Sequence, residues 1–277
     1  MKKVYSRLLT FFIGIPLVLF IVFFNPLKHL PLHIALSIFS VIGANELYMM
    51  ISKNNKLFPK EIILIATGLL TYISYALILF GISIEVTPWI YVVEIVIFMA
   101  IEAFSAKTFE ISLEKITYSA FIIFYCGFLM TFISRMTIIE NSQFIISLFL
   151  IFVFMCDSAA WFFGILFGKG TRGVFAASPN KSIVGFIGGI AGSIASGLLF
   201  KYLVPDVFTC SYINLTIIGL LTSLAAISGD LIESVLKRAC QVKDSGNLIP
   251  GRGGVLDSID SILIAAPVFY ISFTFLF

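Results

Sequence analysis

The chain has 277 residues, 60% of them hydrophobic and 12% charged, and its mean hydropathy is +1.08. A soluble domain carries about a quarter charged residues, and thirty phenylalanines would leave large apolar patches facing water, so the composition excludes an ordinary soluble domain and indicates an integral membrane protein. The net charge of +3 comes with no basic block or arginine-rich tail, which excludes nucleic acid as a partner.

Apolar runs long enough to cross a bilayer recur along the chain. They predict about nine spanning helices, over 8–24, 31–51, 61–80, 86–101, 116–134, 143–168, 183–204, 213–229 and 259–277. The opening MKKVYSR resembles the charged region of a signal peptide, but no small-residue cleavage site follows, so the first run is expected to stay as an uncleaved span. His29 lies in a short connection and His33 at a helix start, with no acidic or cysteine cluster around them, and they read as interfacial residues, not ligands. Four scattered cysteines, with no C-x-x-C spacing, read as apolar fillers. Glu46, Glu94 and Asp157 are acids inside apolar runs.

The basic residues set the topology. With the N-terminus inside, fifteen of the eighteen Lys and Arg fall on the cytoplasmic side, and only Lys28, Arg135 and Lys201 fall opposite. That asymmetry is the positive-inside pattern. The expected architecture is an all-α integral membrane protein with N-terminal helices over 1–140. A C-terminal catalytic membrane domain over 141–277 would present a polar active site to the cytoplasm.

Two polar constellations share that side. The first begins at Asp157, whose carboxylate would cost about 2.5–3.5 kcal/mol at a bilayer centre and should face protein or a cavity. Ser178-Pro179-Asn180-Lys181-Ser182 then reads as a turn into a helix, whose free N–H groups and hydroxyls suit an anion; a capped loop with a positive lysine accounts for the same residues. Gly185, Gly188, Gly189, Gly192, Ser196 and Gly197 follow, spaced for close helix packing.

The second constellation runs from Asp230 to Asp260. On a helix over 230–242, Asp230, Glu233, Ser234, Lys237 and Gln241 share about 100° of arc, opposite an apolar stripe. This would suit a site, or equally a helix lying in the membrane interface. Gly251, Gly253 and Gly254 permit turns and close backbone approach to a ligand. Asp257 and Asp260, three residues apart, share a helical face where the last span begins. Two carboxylates so placed call for a cation, and Mg²⁺ held by carboxylates usually arrives with phosphates. Asp230 is placed to complete such a site, and nearby lysines and arginines would bind the remaining phosphate oxygens.

S-V-L-K-R-A-C-Q-V-K-D-S-G-N-L-I-P-G-R-G-G-V-L-D-S-I-D, Ser234 to Asp260, closely resembles the signature of the phosphatidate cytidylyltransferases, and the upstream GDLIES and SPNKS…GFIGG resemble further elements of that family. The resemblance covers at least residues 157–260. It implies a polytopic, homodimeric enzyme of the cell's inner membrane that condenses CTP with phosphatidic acid to CDP-diacylglycerol and pyrophosphate. It further implies Asp230 and Asp257 as Mg²⁺ ligands with Asp260 close by, and suggests K⁺ beside the Mg²⁺. Lys181, Ser182, Lys237, Arg238, Lys243 and Asp244 match positions near the phosphates or needed for activity. Ser178, Ser234, Arg252, Gly253 and Gly254 are the candidate substrate contacts. Ser258 stands where the family carries arginine, and Val184 where an acid or amide is common. A transporter, built on the intramembrane acids, and a CTP-dependent lipid kinase are the alternative readings.

Overall fold

The computed structural model describes residues 14, 16–249, 251 and 253–277. Eight of its helices are long and apolar enough to cross a membrane: α1 (Pro26–Ile51), α2 (Lys60–Leu79), α3 (Thr87–Ser105), α4 (Ser112–Met136), α5 (Ser142–Phe167), α6 (Ile183–Leu203), α7 (Tyr212–Ala239) and α8 (Leu256–Leu276). Of the expected span over 8–24, residues 14 and 16–24 are described and 16–23 are helical, while 8–13 and 15 lie outside the described residues. The all-α membrane architecture holds. Exposed side chains such as Ile65, Phe104, Leu113 and Phe275 are apolar, as a surface solvated by lipid requires.

These helices form two compact units, Met1–Ile138 with Cys240–Ser258, and Ile139–Ala239 with Ile259–Phe277. In the first, buried hydroxyls bond within the protein, where lipid offers no hydrogen-bond partner. Thr67 Oγ1 and Ser74 Oγ donate to the carbonyls of Ile63 and Leu70 one turn back, at 2.8 and 2.7 Å. α4 contains a π-helical turn over Ile123–Phe128, a register change that disturbs the carbonyl ladder. Ser40 Oγ of α1 donates to the Cys126 carbonyl within that turn at 2.7 Å.

The histidines correct their sequence reading. His29 and His33 are 4% and 2% exposed, inside the protein and not at its interface. Leu27, Lys28 and His29 form a left-handed turn with φ of 49°, 56° and 64°. Tyr75 Oη donates to the Leu27 carbonyl (2.9 Å) and Lys28 Nζ donates to the Ile78 carbonyl (2.7 Å) at the end of α2. The other two exceptions to the charge asymmetry are likewise engaged. Arg135 pairs with Glu85 and donates to the Ile84 carbonyl, and Lys201 donates to the carbonyls of Phe208 and Cys210. All three exceptions to the charge asymmetry thus have a local partner.

In the second unit the glycines of α6 pack as expected. A Cβ on Gly189 would lie 2.9 Å from the Cys156 carbonyl oxygen, and one on Gly197 would lie 2.2 Å from the Phe152 ring. α5 and α6 therefore meet nearly backbone to backbone, and Ser193 Oγ crosses the seam to the Phe152 carbonyl at 2.8 Å. α7 is one continuous helix from Tyr212 to Ala239. The sequence predicts a span and a separate amphipathic helix here, because Asp230 interrupts the apolar run. α7 stops short of Val242, and Gln241, at φ 56°, is not on its polar stripe.

All four cysteines are free thiols. Burial pushes the Cys210 and Cys240 thiols above the ordinary range, against the nearby positive charges of Lys201 and Lys53, so they stay protonated and weakly reactive.

Gly189→Val should lower the stability of the purified protein by about 1–3 kcal/mol through overpacking. Gly170→Ala, where a Cβ meets nothing within 4 Å, should leave it unchanged. Thermal unfolding in detergent measures both.

Candidate active site

The second unit gathers the first group of predicted residues. Ser182 Oγ accepts from the Gly185 N–H (3.0 Å) and so caps α6. An antiparallel bridge between Arg172 and Ser182 and a turn in which the Lys181 N–H donates to the Ser178 carbonyl (3.1 Å) shape the approach. The predicted turn into a helix is therefore present, with Ser178 half-buried and Ser182 buried.

From that turn Lys181 reaches α7 and pairs with Asp230, while Arg238 Nε donates to the Ala177 carbonyl at 3.4 Å. Lys237 pairs with Glu233 one turn back along α7. Glu233 and Ser234 are buried, and Ile232 and Val235 are exposed. The polar stripe faces inward and the apolar stripe outward, the opposite of a helix lying in the membrane interface, and that reading is set aside. Gly229 permits the close pass of α8: a Cβ there would lie 2.6 Å from the Asp260 carbonyl oxygen. Asp260, 7% exposed, lies in the field of Asp230, Glu233 and Asp157. Four carboxylates thus converge with two lysines inside a bundle of otherwise apolar helices.

The first unit gathers the second group, in the loop after α7. Ile249 and Gly253 exchange backbone hydrogen bonds at 2.8 and 3.0 Å; Pro250 and Arg252 lie outside the described residues. Gly253 has φ of +114°, and a Cβ there would lie 2.5 Å from Asp257 Oδ2. At Gly254 a Cβ would meet Ser245 Oγ at 2.1 Å. Neither position tolerates a side chain, because the backbone wraps a carboxylate. Asp257 Oδ2 accepts from the Gly254 N–H (2.7 Å), the Ser245 N–H (3.0 Å) and Ser245 Oγ (2.9 Å). Lys243 and Asp244 are exposed on this loop. Ser258 Oγ donates to the Gly254 carbonyl at 3.4 Å and brings no charge where the family signature has arginine.

Two residues of this network were not among the sequence candidates. Glu46 of α1 is 7% exposed. Its Oε1 accepts from the Val255 N–H (2.9 Å), and its Oε2 accepts from the Leu256 N–H (2.8 Å) and Ser245 Oγ (3.0 Å). The signal in the sequence was an acid within an apolar run, but nothing there named its partners. Ser245, which bridges Glu46 and Asp257, gave no signal beyond its place in the loop. Glu46, Ser245, Asn45 and Asn247 also line a cavity of about 590 Å³.

The carboxylates offer hard oxygen donors. Mg²⁺ is usually held by one or two carboxylates together with substrate phosphates, so this donor set suits it. Among the described residues no group of three or more His, Cys, Asp or Glu is placed to hold a metal ion; a Mg²⁺–nucleotide site uses only one or two carboxylates.

Inward-facing charges in apolar helices, with a glycine loop wrapped around a carboxylate, define a polytopic membrane protein built around polar sites. The family model described as "Cytidylyltransferase family" matches residues 5–276. The chain belongs to this cytidylyltransferase family. It is 42% identical over 123 residues to a phosphatidate cytidylyltransferase of Thermotoga maritima, a match covering 43% of this chain and 45% of the relative. It is 41% identical over 119 residues to one of Bacillus subtilis, covering 43% of each. To one of Staphylococcus aureus it is 40% identical over 129 residues, covering 47% and 48%. The chain spans somewhat under half the length of the curated relatives it matches.

Breaking the buried pair by Lys237→Met should cost about 3–5 kcal/mol, because it leaves the Glu233 carboxylate without its cation. Adding Glu233→Gln should recover most of that loss. Unfolding of the single and double variants in detergent measures the difference.

Proposed function

We propose that this chain transfers the cytidylyl group of CTP to phosphatidic acid, giving CDP-diacylglycerol and pyrophosphate. The observation that carries the reading is the cluster of Lys181, Asp230, Glu233, Lys237 and Asp260, a concentration of charge that helix packing alone does not call for. Family membership and the names of the relatives support the same chemistry.

In this reading a phosphate oxygen of phosphatidic acid attacks the α-phosphorus of CTP. The bond from that phosphorus to the oxygen bridging to the β-phosphate breaks, and pyrophosphate leaves with the electron pair. Phosphatidic acid is already anionic at neutral pH, so the reaction needs positioning and charge neutralisation more than a strong base. Lys181 and Lys237, each steered by a carboxylate, would present their ammonium groups to phosphate oxygens. Arg238 and Lys243 would add charge at the rim, and Ser178, Ser234 and Arg252 would contact substrate. Asp230 and Asp257 would hold Mg²⁺; because they belong to different units, their pairing in this role rests on the sequence signature. When bound, the ion would neutralise phosphate charge and polarise the reacting phosphorus. K⁺ beside it rests on the family resemblance alone.

Gly253 and Gly254, whose N–H groups are taken by the Ile249 carbonyl and Asp257, would let the loop backbone approach substrate closely, and Asp244 would act from its exposed edge. The protein would lie in the cell's inner membrane with the charged loops on the cytoplasmic side. CTP would then arrive from water and the lipid from the bilayer, and the enzyme would work as a homodimer.

Purified protein given labelled CTP and phosphatidic acid should form labelled lipid and pyrophosphate only when Mg²⁺ is supplied. Asp257→Ala should reduce that turnover by about 10²-fold or more, the usual scale for losing one group that stabilises transition-state charge. Near-normal turnover in the variant, or transport with no CTP consumed, would contradict the reading.

A further inference from the structure

We propose that Glu46 is a positioning residue for the transfer reaction, fixing the start of α8 and, through Ser245, the carboxylate of Asp257. The inference rests on the proposed function and adds to it a residue that the signature does not contain.

Glu46 lies 199 residues before Ser245 and 210 before Leu256, so its part in the loop comes from tertiary structure alone. A carboxylate in an apolar span is costly and tends to be kept for function. Here it stands in for the side-chain cap that α8 would otherwise need: the first N–H groups of a helix have no partner within it, and those of Val255 and Leu256 donate to Glu46 at 2.9 and 2.8 Å. The negative charge at the helix start is also favoured by the helix dipole.

The link to Asp257 is one hydroxyl. Ser245 Oγ lies 3.0 Å from Glu46 Oε2 and 2.9 Å from Asp257 Oδ2, and the Asp257 N–H points back at it from 3.3 Å. A serine hydroxyl has one proton to give, so two carboxylates share one donor. Backbone N–H groups on each side, from Val255 and Leu256 to Glu46 and from Ser245 and Gly254 to Asp257, hold the two acids in place. The glycines leave no slack, since a Cβ on Gly246 or Gly254 would lie 2.5 or 2.4 Å from a Glu46 carboxylate oxygen. Moving Glu46 therefore moves the loop and the orientation of Asp257 with it.

Glu46→Gln keeps the shape, but it replaces one acceptor oxygen with an N–H₂ group that faces other donors. The test measures turnover and hydrogen exchange on the full-length protein in lipid nanodiscs. Glu46→Gln should lower kcat by about tenfold or more, as small misplacements at a reacting centre do, with KM for CTP held within about twofold. Backbone amides over 244–257 should exchange faster while those of α5 and α6 stay unchanged. Ser245→Ala, which keeps Glu46 but removes the bridge, should reproduce the loss in kcat and serves if the Glu46 variant does not fold. Wild-type kcat in both variants would overturn the proposal, as would a lost kcat with unchanged exchange over 244–257. If the wild-type protein makes no CDP-linked lipid, the proposed function fails, and the exchange data alone decide whether Glu46 holds the start of α8.

Discussion

A carboxylate placed among apolar helices has no water to answer it, so its own chain has to supply the donors. The Glu46 carboxylate meets this demand with the start of α8 and the hydroxyl of Ser245, and the local structure follows from that choice. The loop after α7 must come close enough to present backbone N–H groups. It can do so only with glycine at Gly253 and Gly254, where a side chain would collide with Asp257, Ser245 or Glu46. The Gly253-Gly254 pair is thus as much a fitting around carboxylates as a candidate surface for substrate.

The same constraint organises the second unit by another route. There the buried acids are answered by lysines, Lys181 on Asp230 and Lys237 on Glu233, and α7 turns its polar stripe inward to make this possible. Such pairs contribute little net stability, since desolvation offsets much of their attraction. Their value to a phosphate-handling enzyme would be readiness, with ammonium groups held near where phosphate oxygens would arrive. Lys28, Arg135 and Lys201 show the bland counterpart, being cations tied to helix-end or loop carbonyls or to one acid.

Much of this could be read from the residues. Apolar runs located the described helices to within a few residues at most ends, because a bilayer imposes length and composition directly. The small residues of α6 gave its close packing against α5, and the turn before it was legible in Ser178 to Ser182. Where the sequence reading failed, the cause was tertiary. Asp230 interrupts the apolar run, yet the helix continues because Lys181 pairs with it. His29 and His33 looked interfacial until packing enclosed them. The tie between Glu46 and a loop some two hundred residues away leaves no local trace except an acid where none is needed. The signature conveyed which residues matter together, but it could not convey what holds them.

Coupling between Glu46 and Ser245 tests this account most directly, measured as a double-mutant cycle on unfolding free energy with Glu46→Gln, Ser245→Ala and the pair. A shared hydrogen-bonded network predicts that the two losses fail to add by about 1 kcal/mol or more. Losses that sum to within about 0.3 kcal/mol would mean the two side chains act independently, and the buried carboxylate would not be what fastens the loop.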